Sequence, residues 1–305
     1  MTRILLTGKN GQVGWELQRF LADFGTVVAT DSAEMNLADP QAIRRVIREV
    51  KPDLIINPAA YTAVDKAETE PDLAQAVNGD APGILAEEAL RLRAVLVHYS
   101  TDYVFDGSKR APYTEADAPN PQSVYGRTKL AGEQAIRASG CKHLILRTSW
   151  VYGVHGGNFV KTMLRLARER DELRVVADQF GAPTWARDLA LSTASALQGW
   201  SQKDWDGNLG GLYHLTAAGR TSWHQYAEEI VRLARQYDPA LAAKALAIRA
   251  IATHEYPLPA KRPVNSVLAN DRIRDSFGIA LPAWQDSLAE CVRLIYQPPV
   301  NATPG

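Results

Sequence analysis

The stretch RILLTGKNGQVG, residues 3 to 14, decides the fold class of this chain of 305 residues. Its first residues form a short apolar run that predicts a buried strand, and the amphipathic segment from Trp15 to Phe24 predicts a helix. Between them, Gly8, Gly11 and Gly14 follow a G-x-x-G-x-x-G pattern, which differs from the G-x-G-x-x-G of the dehydrogenase fingerprint. Glycines before a helix let backbone N–H groups approach a pyrophosphate, whose charge the helix N-terminus favours. We therefore predict a dinucleotide-binding loop rather than a plain turn.

The first half of the chain repeats this alternation of apolar runs and helical patterns. Further strands are predicted at residues 26–30, 53–57, 95–100 and 143–148, and helices at residues 40–50, 82–92 and 125–136. Asp39 and Pro40 form a helix cap and a first helical residue. Near-continuous apolar strands are typical of a parallel sheet that helices cover on both faces. The predicted fold class is α/β, a Rossmann-like doubly wound parallel sheet with a smaller C-terminal substrate-binding lobe.

The pattern loosens after about residue 150, where prolines become frequent and strict alternation is lost. We predict a dinucleotide-binding Rossmann domain over residues 1–150, to which a later segment at about 186–216 returns. Residues 151–305 are expected to form mainly the substrate-binding lobe. The proline-rich tail from Gln297 to Gly305 is expected to be frayed.

Composition narrows the function classes. Lys and Arg number 34, as do Asp and Glu, so the net charge of +0 favours neither nucleic acid nor an anionic membrane as a partner, and a small molecule becomes the expected one. Cys141 and Cys291 lie far apart, which suits a reducing cytosol. No secretion signal or membrane span is recognised, so a cytoplasmic location is expected. The six histidines lack metal-ligand spacing, so we expect no metal site and predict solvated or core histidines.

The choice of cofactor depends on the end of the second predicted strand. Asp31 lies about 20 residues beyond the glycine loop, where a carboxylate accepts hydrogen bonds from a ribose 2′-OH and repels a 2′-phosphate. Lys9 in the loop can still assist a phosphate, so NADH and NADPH both remain open. The segment from Pro58 to Thr62 has small residues that would let a cofactor lie near the backbone, although a simple exit from the third strand explains it equally well.

A candidate catalytic group lies on the helix predicted after residue 124. Tyr125 and Lys129 are four residues apart and therefore share one helix face. A nearby cation helps a phenol, whose pKa is ordinarily about 10, to give up its proton. Thr101 follows the fourth strand, at the sheet edge where open α/β sheets bind ligands. We predict acid-assisted hydride transfer to a carbonyl, with Tyr125 as the proton donor supported by Lys129 and Thr101.

At these residues the chain resembles the extended short-chain dehydrogenase/reductase superfamily and, within it, the dTDP-4-dehydrorhamnose reductase family. The resemblance covers nearly the whole length, and the combination of motifs is far more specific than any one of them. The motifs are GKNGQVGWELQ (8 to 18), NPAAYTAVDKAE (57 to 68), HYSTDYVFDG (98 to 107), VYGRTKLAGE (124 to 133), RTSWVYG (147 to 153), NFVKTML (158 to 164), DQFGAPT (178 to 184), GLYHLT (211 to 216) and RPVNS (262 to 266).

The resemblance implies the roles of individual residues. Thr101, Tyr125 and Lys129 match the catalytic trio of the family. The predicted cofactor residues, with the loop glycines included, are Gly8, Gly11, Gln12, Val13, Gly14, Asp31, Asn36, Leu37, Ala60, Tyr61, Thr62, Tyr99, Tyr125 and Lys129. Thr101, Asp102 and Trp150 match contacts to the sugar nucleotide, although core packing explains Trp150 equally well. Arg262 is a candidate partner for the diphosphate because of its planar guanidinium, and a solvated arginine is the alternative.

The activity that the resemblance implies is NAD(P)H-dependent reduction of the C4 ketone of dTDP-4-dehydro-β-L-rhamnose to dTDP-β-L-rhamnose. The related sugar-nucleotide 4,6-dehydratases carry Thr-Asp-Glu where this chain has Thr101, Asp102 and Tyr103, so elimination of water is disfavoured. Two alternatives remain open: another epimerase or dehydratase of the superfamily, and a non-catalytic dinucleotide-binding regulatory subunit. A homodimer is a common arrangement for such enzymes, and the sequence does not reveal an interface.

Overall fold

The computed structural model describes residues 1–298, so almost all of the tail that was expected to fray lies outside the described residues. In chain order the strands are β1 (Arg3–Leu6), β2 (Thr26–Ala29), β3 (Leu54–Asn57), β4 (Val95–Thr101), β5 (His143–Thr148), β6 (Val151–Tyr152), β7 (Glu172–Val176), β8 (Phe180–Gly181), β9 (Thr184–Trp185), β10 (Gly211–His214), β11 (Thr221–Ser222) and β12 (Ala247–Ile251). The α-helices are α1 (Gln12–Phe20), α2 (Pro40–Val50), α3 (Val64–Ala67), α4 (Pro71–Gln75), α5 (Ala81–Leu92), α6 (Val124–Ser139), α7 (Phe159–Glu169), α8 (Ala186–Ser201), α9 (Trp223–Ala234), α10 (Pro239–Ala243), α11 (Asp271–Phe277) and α12 (Trp284–Tyr296).

Six strands form the central sheet in the order β10-β5-β4-β3-β1-β2, and all five pairings are parallel. The predicted α/β doubly wound fold is confirmed. The chain runs from β1 to β2 and then returns past β1 to β3, so the strand order reverses at β1. Open α/β sheets bind ligands outside the carboxyl ends of the strands at such a reversal, and the glycine loop leaves β1 there.

Helices cover both faces of the sheet, which explains why its strands are apolar at almost every position. Ile4 and Leu6 point to the face packed by α1 and α8, whereas Leu5 and Ile55 point to the face packed by α2 and α5. Successive strand residues face opposite sides of a sheet. A strand covered on both sides therefore has no position that favours a polar side chain, and this is the pattern that the sequence showed.

A further core cluster lies in the C-terminal part of the chain. It is built on α7, α9 and α12, with Tyr226 and Leu288 among its fully buried residues. The short strands β7 and β12 pair in parallel beside it. The later segment that was expected to return contributes β10 to the central sheet and α8 to the packing against α1. The domain limits at residues 150 and 186–216 stay a prediction.

Local differences from the sequence-based expectations have physical causes. Helix α1 begins at Gln12 and ends at Phe20 rather than spanning 15 to 24, because Gly11 is already its N-cap and the chain turns back at Leu21. The predicted cap at Asp39 is confirmed, since its side chain accepts a hydrogen bond from the N–H of Gln41. The strands after β5 were missed because several of them have only two residues.

Candidate active site

The glycine loop is shaped by positions where a side chain has no room. Gly8 has φ +62°, and a Cβ there would lie 2.9 Å from the Cβ of Ala59. A Cβ on Gly14 would collide with the carbonyl oxygen of Gly8. The same oxygen accepts a 2.9 Å hydrogen bond from the N–H of Gly11. The loop therefore leaves bare backbone at the start of α1, the arrangement that suits a pyrophosphate.

A cleft of about 600 Å³ opens beside this loop, within the usual range for a cofactor site. It is lined by every predicted cofactor residue except Tyr61. The side chain of Tyr61 instead donates a 2.7 Å hydrogen bond to Glu70, and its backbone N–H donates to Asn78 at 2.9 Å. Bare glycine backbone, a helix N-terminus and a cleft of this size fit a dinucleotide. The contacts of each residue with a cofactor stay a prediction.

The expected ribose position carries one cation and two carboxylates, because Glu34 joins Asp31 and Lys9 there. Hydrogen bonds lower the pKa of Asp31, and the one from the N–H of Ala33 has the largest effect. This carboxyl is therefore ionised at neutral pH. Lys9 Nζ lies 3.6 Å from Asp31 and 2.6 Å from Glu34. The ammonium offsets part of the repulsion that Asp31 would exert on a 2′-phosphate. This site is therefore compatible with both forms of the coenzyme.

The predicted catalytic side chains come together at the edge of the cleft. Ser123 caps α6, since its hydroxyl accepts a 3.1 Å hydrogen bond from the N–H of Gly126, and this start places Tyr125 and Lys129 towards β4. Burial raises the pKa of Tyr125 to about 12, and a hydrogen bond with the hydroxyl of Thr101 partly offsets that rise. Burial also lowers the pKa of Lys129 to about 8. Tyr125 and Lys129 are thus desolvated side chains that line the cleft, and Thr101 lies beside Tyr125.

Asp102 carries an incomplete set of hydrogen bonds next to Thr101. It is 2% exposed, and one carboxylate oxygen accepts a 3.0 Å hydrogen bond from Thr101. The other oxygen, Oδ2, has no hydrogen-bond partner among the described residues. Burial raises the pKa of Asp102 to about 6. Buried oxygen atoms are normally paired, so Oδ2 is suited to accept a hydrogen bond from a bound hydroxyl.

Two glycines bring α6 close to its neighbours. A Cβ on Gly126 would collide with the carbonyl oxygen of Tyr103, and one on Gly132 would collide with that of Asn78. Helix α6 therefore lies directly against the turn that follows Thr101. The ring of Tyr103 meets Tyr125 edge to face, with centroids 5.5 Å apart.

An ion pair that the sequence did not reveal supports the same helix from beneath. Arg147 on β5 donates from Nε and Nη2 to the two carboxylate oxygens of Glu133 on α6, at 2.9 and 2.6 Å. Arg147 and Glu133 are each 1% exposed. The two parallel hydrogen bonds fix the orientation of α6 relative to the sheet.

The remaining predicted substrate residues are engaged with other parts of the protein. Trp150 adopts φ +48° and stacks on Trp223 with ring centroids 3.5 Å apart. Its ring also fills the space where Gly181 would carry a Cβ. Arg262 donates from Nη1 and Nη2 to Asp65, both at 2.7 Å, and its side chain is 17% exposed. Arg262 is therefore a paired arginine rather than a solvated one.

A model of the RmlD substrate binding domain family matches residues 1–297. The chain belongs to the RmlD substrate binding domain family. A dTDP-4-dehydrorhamnose reductase of Burkholderia thailandensis is 49% identical over 292 residues, which are 95% of this chain and 98% of the relative. A crystal structure of a dTDP-4-dehydrorhamnose reductase from Clostridium acetobutylicum has a TM-score of 0.87 at 41% identity, covering 96% of this chain and 99% of that one. The Bacillus anthracis dTDP-4-dehydrorhamnose reductase in complex with NADP has a TM-score of 0.84 at 35% identity, covering 95% and 98%.

A buried histidine contacts Lys129 in this RmlD-family chain. His98 was predicted, with the other histidines, to be solvated or core, and the core alternative is confirmed. It is 1% exposed and contacts Lys129, with 3.1 Å between Nε2 and Nζ. Its position on β4, directly before Tyr99, was the available signal, because an ionisable side chain inside a fully buried strand needs a partner.

Over residues 1–298, no group of three or more His, Cys, Asp or Glu side chains is placed to hold a metal ion. Among the helices of that same range, none is long and apolar enough to span a bilayer.

Proposed function

We infer that this chain is an NAD(P)H-dependent oxidoreductase that reduces the C4 ketone of dTDP-4-dehydro-β-L-rhamnose to dTDP-β-L-rhamnose. Relatives that carry the name of this activity match almost the full length of both chains. The observation that carries the proposal is that Tyr125 and Lys129 line a cleft with a bare glycine loop, with Thr101 next to Tyr125. A protein that only bound the dinucleotide would not need this buried acid and base.

We propose that Tyr125 is the proton donor. The reduced coenzyme, when bound, supplies the hydride that attacks C4 of the sugar. Thr101 and Tyr125 hold the carbonyl oxygen, and the phenolic proton passes to that oxygen as the C4–H bond forms, which leaves a secondary alcohol and a phenolate. The ammonium of Lys129 stabilises this phenolate until a proton from solvent restores it. Acid assistance of this kind contributes about 10²–10⁴-fold to the rate.

Substrate recognition is proposed for three residues outside this trio. Asp102 offers its unpaired buried oxygen to a sugar hydroxyl, and Trp150 offers an aromatic face. Arg262 has five N–H donors, of which three are used by Asp65 and the carbonyl oxygen of Ala260. Two donors therefore remain available for the substrate diphosphate.

The proposed activity is tested by supplying the substrate directly. The protein is incubated with dTDP-4-dehydro-6-deoxyhexose and a 3,5-epimerase, and the absorbance of NADH and of NADPH is followed in parallel. We expect oxidation of the coenzyme to require both the sugar nucleotide and the epimerase. If neither coenzyme is oxidised, the reductase proposal is wrong. If the sugar is converted without net oxidation, an epimerase or dehydratase that regenerates its coenzyme replaces it.

We also propose a cytoplasmic location and a homodimer. Cys141 and Cys291 are both free and buried, which suits a reducing compartment. Homodimers are the commonest arrangement of soluble oligomers. Sedimentation of the purified protein over a range of concentrations tests the second proposal, and a single monomeric species at all concentrations contradicts it.

A further inference from the structure

A buried chain of polar side chains runs behind Lys129 and away from the cleft. Lys129 Nζ lies 3.1 Å from His98 Nε2, and His98 Nδ1 lies 3.0 Å from the amide nitrogen Nδ2 of Asn57. The hydroxyl of Thr7 donates a 2.6 Å hydrogen bond to Oδ1 of the same amide. All four residues are 2% exposed or less. Polar groups buried in this way are costly unless each is satisfied, so the chain is a specific arrangement rather than leftover space.

The bonding capacity of Lys129 shows what this chain does. An ammonium group has three N–H donors and no acceptor. One donor is used by the carbonyl oxygen of Tyr99 at 2.6 Å, and a second faces His98. Lys129 also lines the cofactor cleft, so the third donor is available there. The carbonyl oxygen of Tyr99 and the ring of His98, which both lie behind the ammonium, thus limit where its remaining N–H points.

We propose that His98 is the positioning residue of Lys129, a neutral imidazole whose Nε2 accepts from the ammonium and whose Nδ1–H donates to the side chain of Asn57. This inference rests on the proposed function, since it assigns Lys129 its charged role in that reaction. Nδ2 of Asn57 faces the ring in the structure, so the proposal requires a half-turn of this amide that brings its oxygen to Nδ1–H, and the hydroxyl of Thr7 then accepts instead of donating. A doubly protonated ring would place two cations 3.1 Å apart, and burial followed by the charge of Lys129 lowers the pKa of His98.

The groups that face Lys129 define what a change at His98 would do. Glu133, on the same helix, raises the pKa of Lys129 and is itself paired with Arg147 on β5. Tyr125 lies one turn earlier on α6, and His98 faces the amine from β4. A hydrogen bond accepted from a charged group favours the charged form. Losing the acceptor at Nε2 therefore moves the pKa of Lys129 further down while these other charges stay in place.

The test uses substitutions that separate the two sides of the imidazole. His98→Gln keeps an oxygen within reach of Lys129, His98→Asn is one methylene shorter and reaches only Asn57, and His98→Leu removes both contacts. We expect the alkaline limb of the kcat–pH profile to move down by about one pH unit in the Asn and Leu variants, the effect of one hydrogen bond to a charged group. The profile of the Gln variant should match that of the wild type, and KM for the sugar nucleotide should change little in all three.

His214 provides the matched control. It is a histidine on β10 of the same sheet, is 0% exposed and contacts the carbonyl oxygen of Tyr113 rather than Lys129. His214→Leu should lower the melting temperature as a buried loss does, without moving the pH profile. Equal profiles in His98→Gln and His98→Asn, or a wild-type profile in folded His98→Leu, would overturn the proposal.

A measurement on the wild-type protein does not depend on any variant folding. Nitrogen NMR of ¹⁵N-histidine-labelled protein reads which ring nitrogen carries the proton. We expect a protonated Nδ1 and an unprotonated Nε2 for His98 at neutral pH, and the opposite tautomer would overturn the proposal. NADPH affinity, measured by fluorescence, should fall in His98→Asn and not in His98→Gln. Both readings remain available if the wild type fails to reduce the sugar nucleotide, so the two proposals fail separately.

Discussion

The predicted site residues form two groups, here called walls, that are held in different ways. The sheet wall, defined by Thr101, Tyr125 and Lys129, is held by hydrogen bonds to backbone and by the buried side chains behind it. The lobe wall, defined by Trp150 and Arg262, is held by partners distant in sequence, and Arg262 pairs with a residue 197 positions away. The proposed proton transfer thus depends on the wall whose geometry is fixed by the fold, and the proposed recognition depends on the wall whose geometry is set by side-chain pairs.

The largest expected effect is on the chemistry of the sheet wall. Tyr125→Phe removes the proposed proton donor and keeps the ring, so kcat should fall by about 10²–10⁴-fold. NADPH affinity should stay close to that of the wild type, as measured by fluorescence titration. Tyr213→Phe is the control, because it removes a buried hydroxyl that bonds to the carbonyl oxygen of Leu209, far along the chain from the trio. Wild-type turnover in Tyr125→Phe would assign the proton to another group.

The support beneath the sheet wall should dominate stability. Glu133→Gln leaves Arg147 buried without its counter-charge, and breaking a buried pair in this way lowers the free energy of unfolding by about 3–5 kcal/mol. Urea denaturation measures the change. The control is Glu229→Gln, which breaks a more exposed pair with Arg232 and should cost less than about 1 kcal/mol. Similar losses in both variants would mean that the pair under α6 has no special role.

Asp102, which accepts a hydrogen bond from Thr101, should make the stability of the protein depend on pH. The folded protein holds its pKa at about 6, above the usual value of 3.8. The folded state therefore binds the proton more tightly, and its stability advantage is complete below about pH 4 and lost as the pH rises through 6. Asp102→Asn lacks this titration. From pH 4 to pH 8, its free energy of unfolding should gain roughly 2–3 kcal/mol relative to the wild type. A difference that is constant over this range would contradict the raised pKa.

The smallest expected effect tests the lobe wall. Arg262→Gln should raise KM for the sugar nucleotide about tenfold with a smaller change in kcat. The substitution removes the charged side chain that is proposed to donate hydrogen bonds to the diphosphate. Asp65→Asn breaks the same ion pair but keeps the cation, and should change KM less than about threefold. Steady-state kinetics at saturating NADPH distinguish the two. Equal changes in KM would mean that Arg262 only fastens its loop to α3.

Much of the sheet wall could be predicted from sequence because its determinants are local. Apolar runs gave the strands, and the four-residue spacing of Tyr125 and Lys129 placed both on one helix face. Regular backbone geometry turns sequence spacing directly into position. The order of motifs then brought Thr101 to the same edge of the sheet.

The remainder depends on contacts that spacing does not encode. The sequence around Arg262 does not predict its pairing with Asp65, and the sequence around Arg147 does not predict its pairing with Glu133. Each pair is formed only in the tertiary fold. The contact of His98 with Lys129 was missed for a related reason: inside an apolar strand, a histidine that holds another residue has the same local sequence as one that merely fills space. Tyr61 was expected at the cofactor, but its hydroxyl is bound to Glu70.

Gly126 shows how much can depend on an atom that is missing. Its lack of a Cβ allows α6 to lie against the carbonyl oxygen of Tyr103. A methyl group there would push α6 outward and move the phenol and the amine together. An alanine in place of this glycine should therefore weaken proton transfer although every reacting side chain is unaltered. The spacing of the proposed reaction centre is therefore set in part by a residue that takes no part in the reaction.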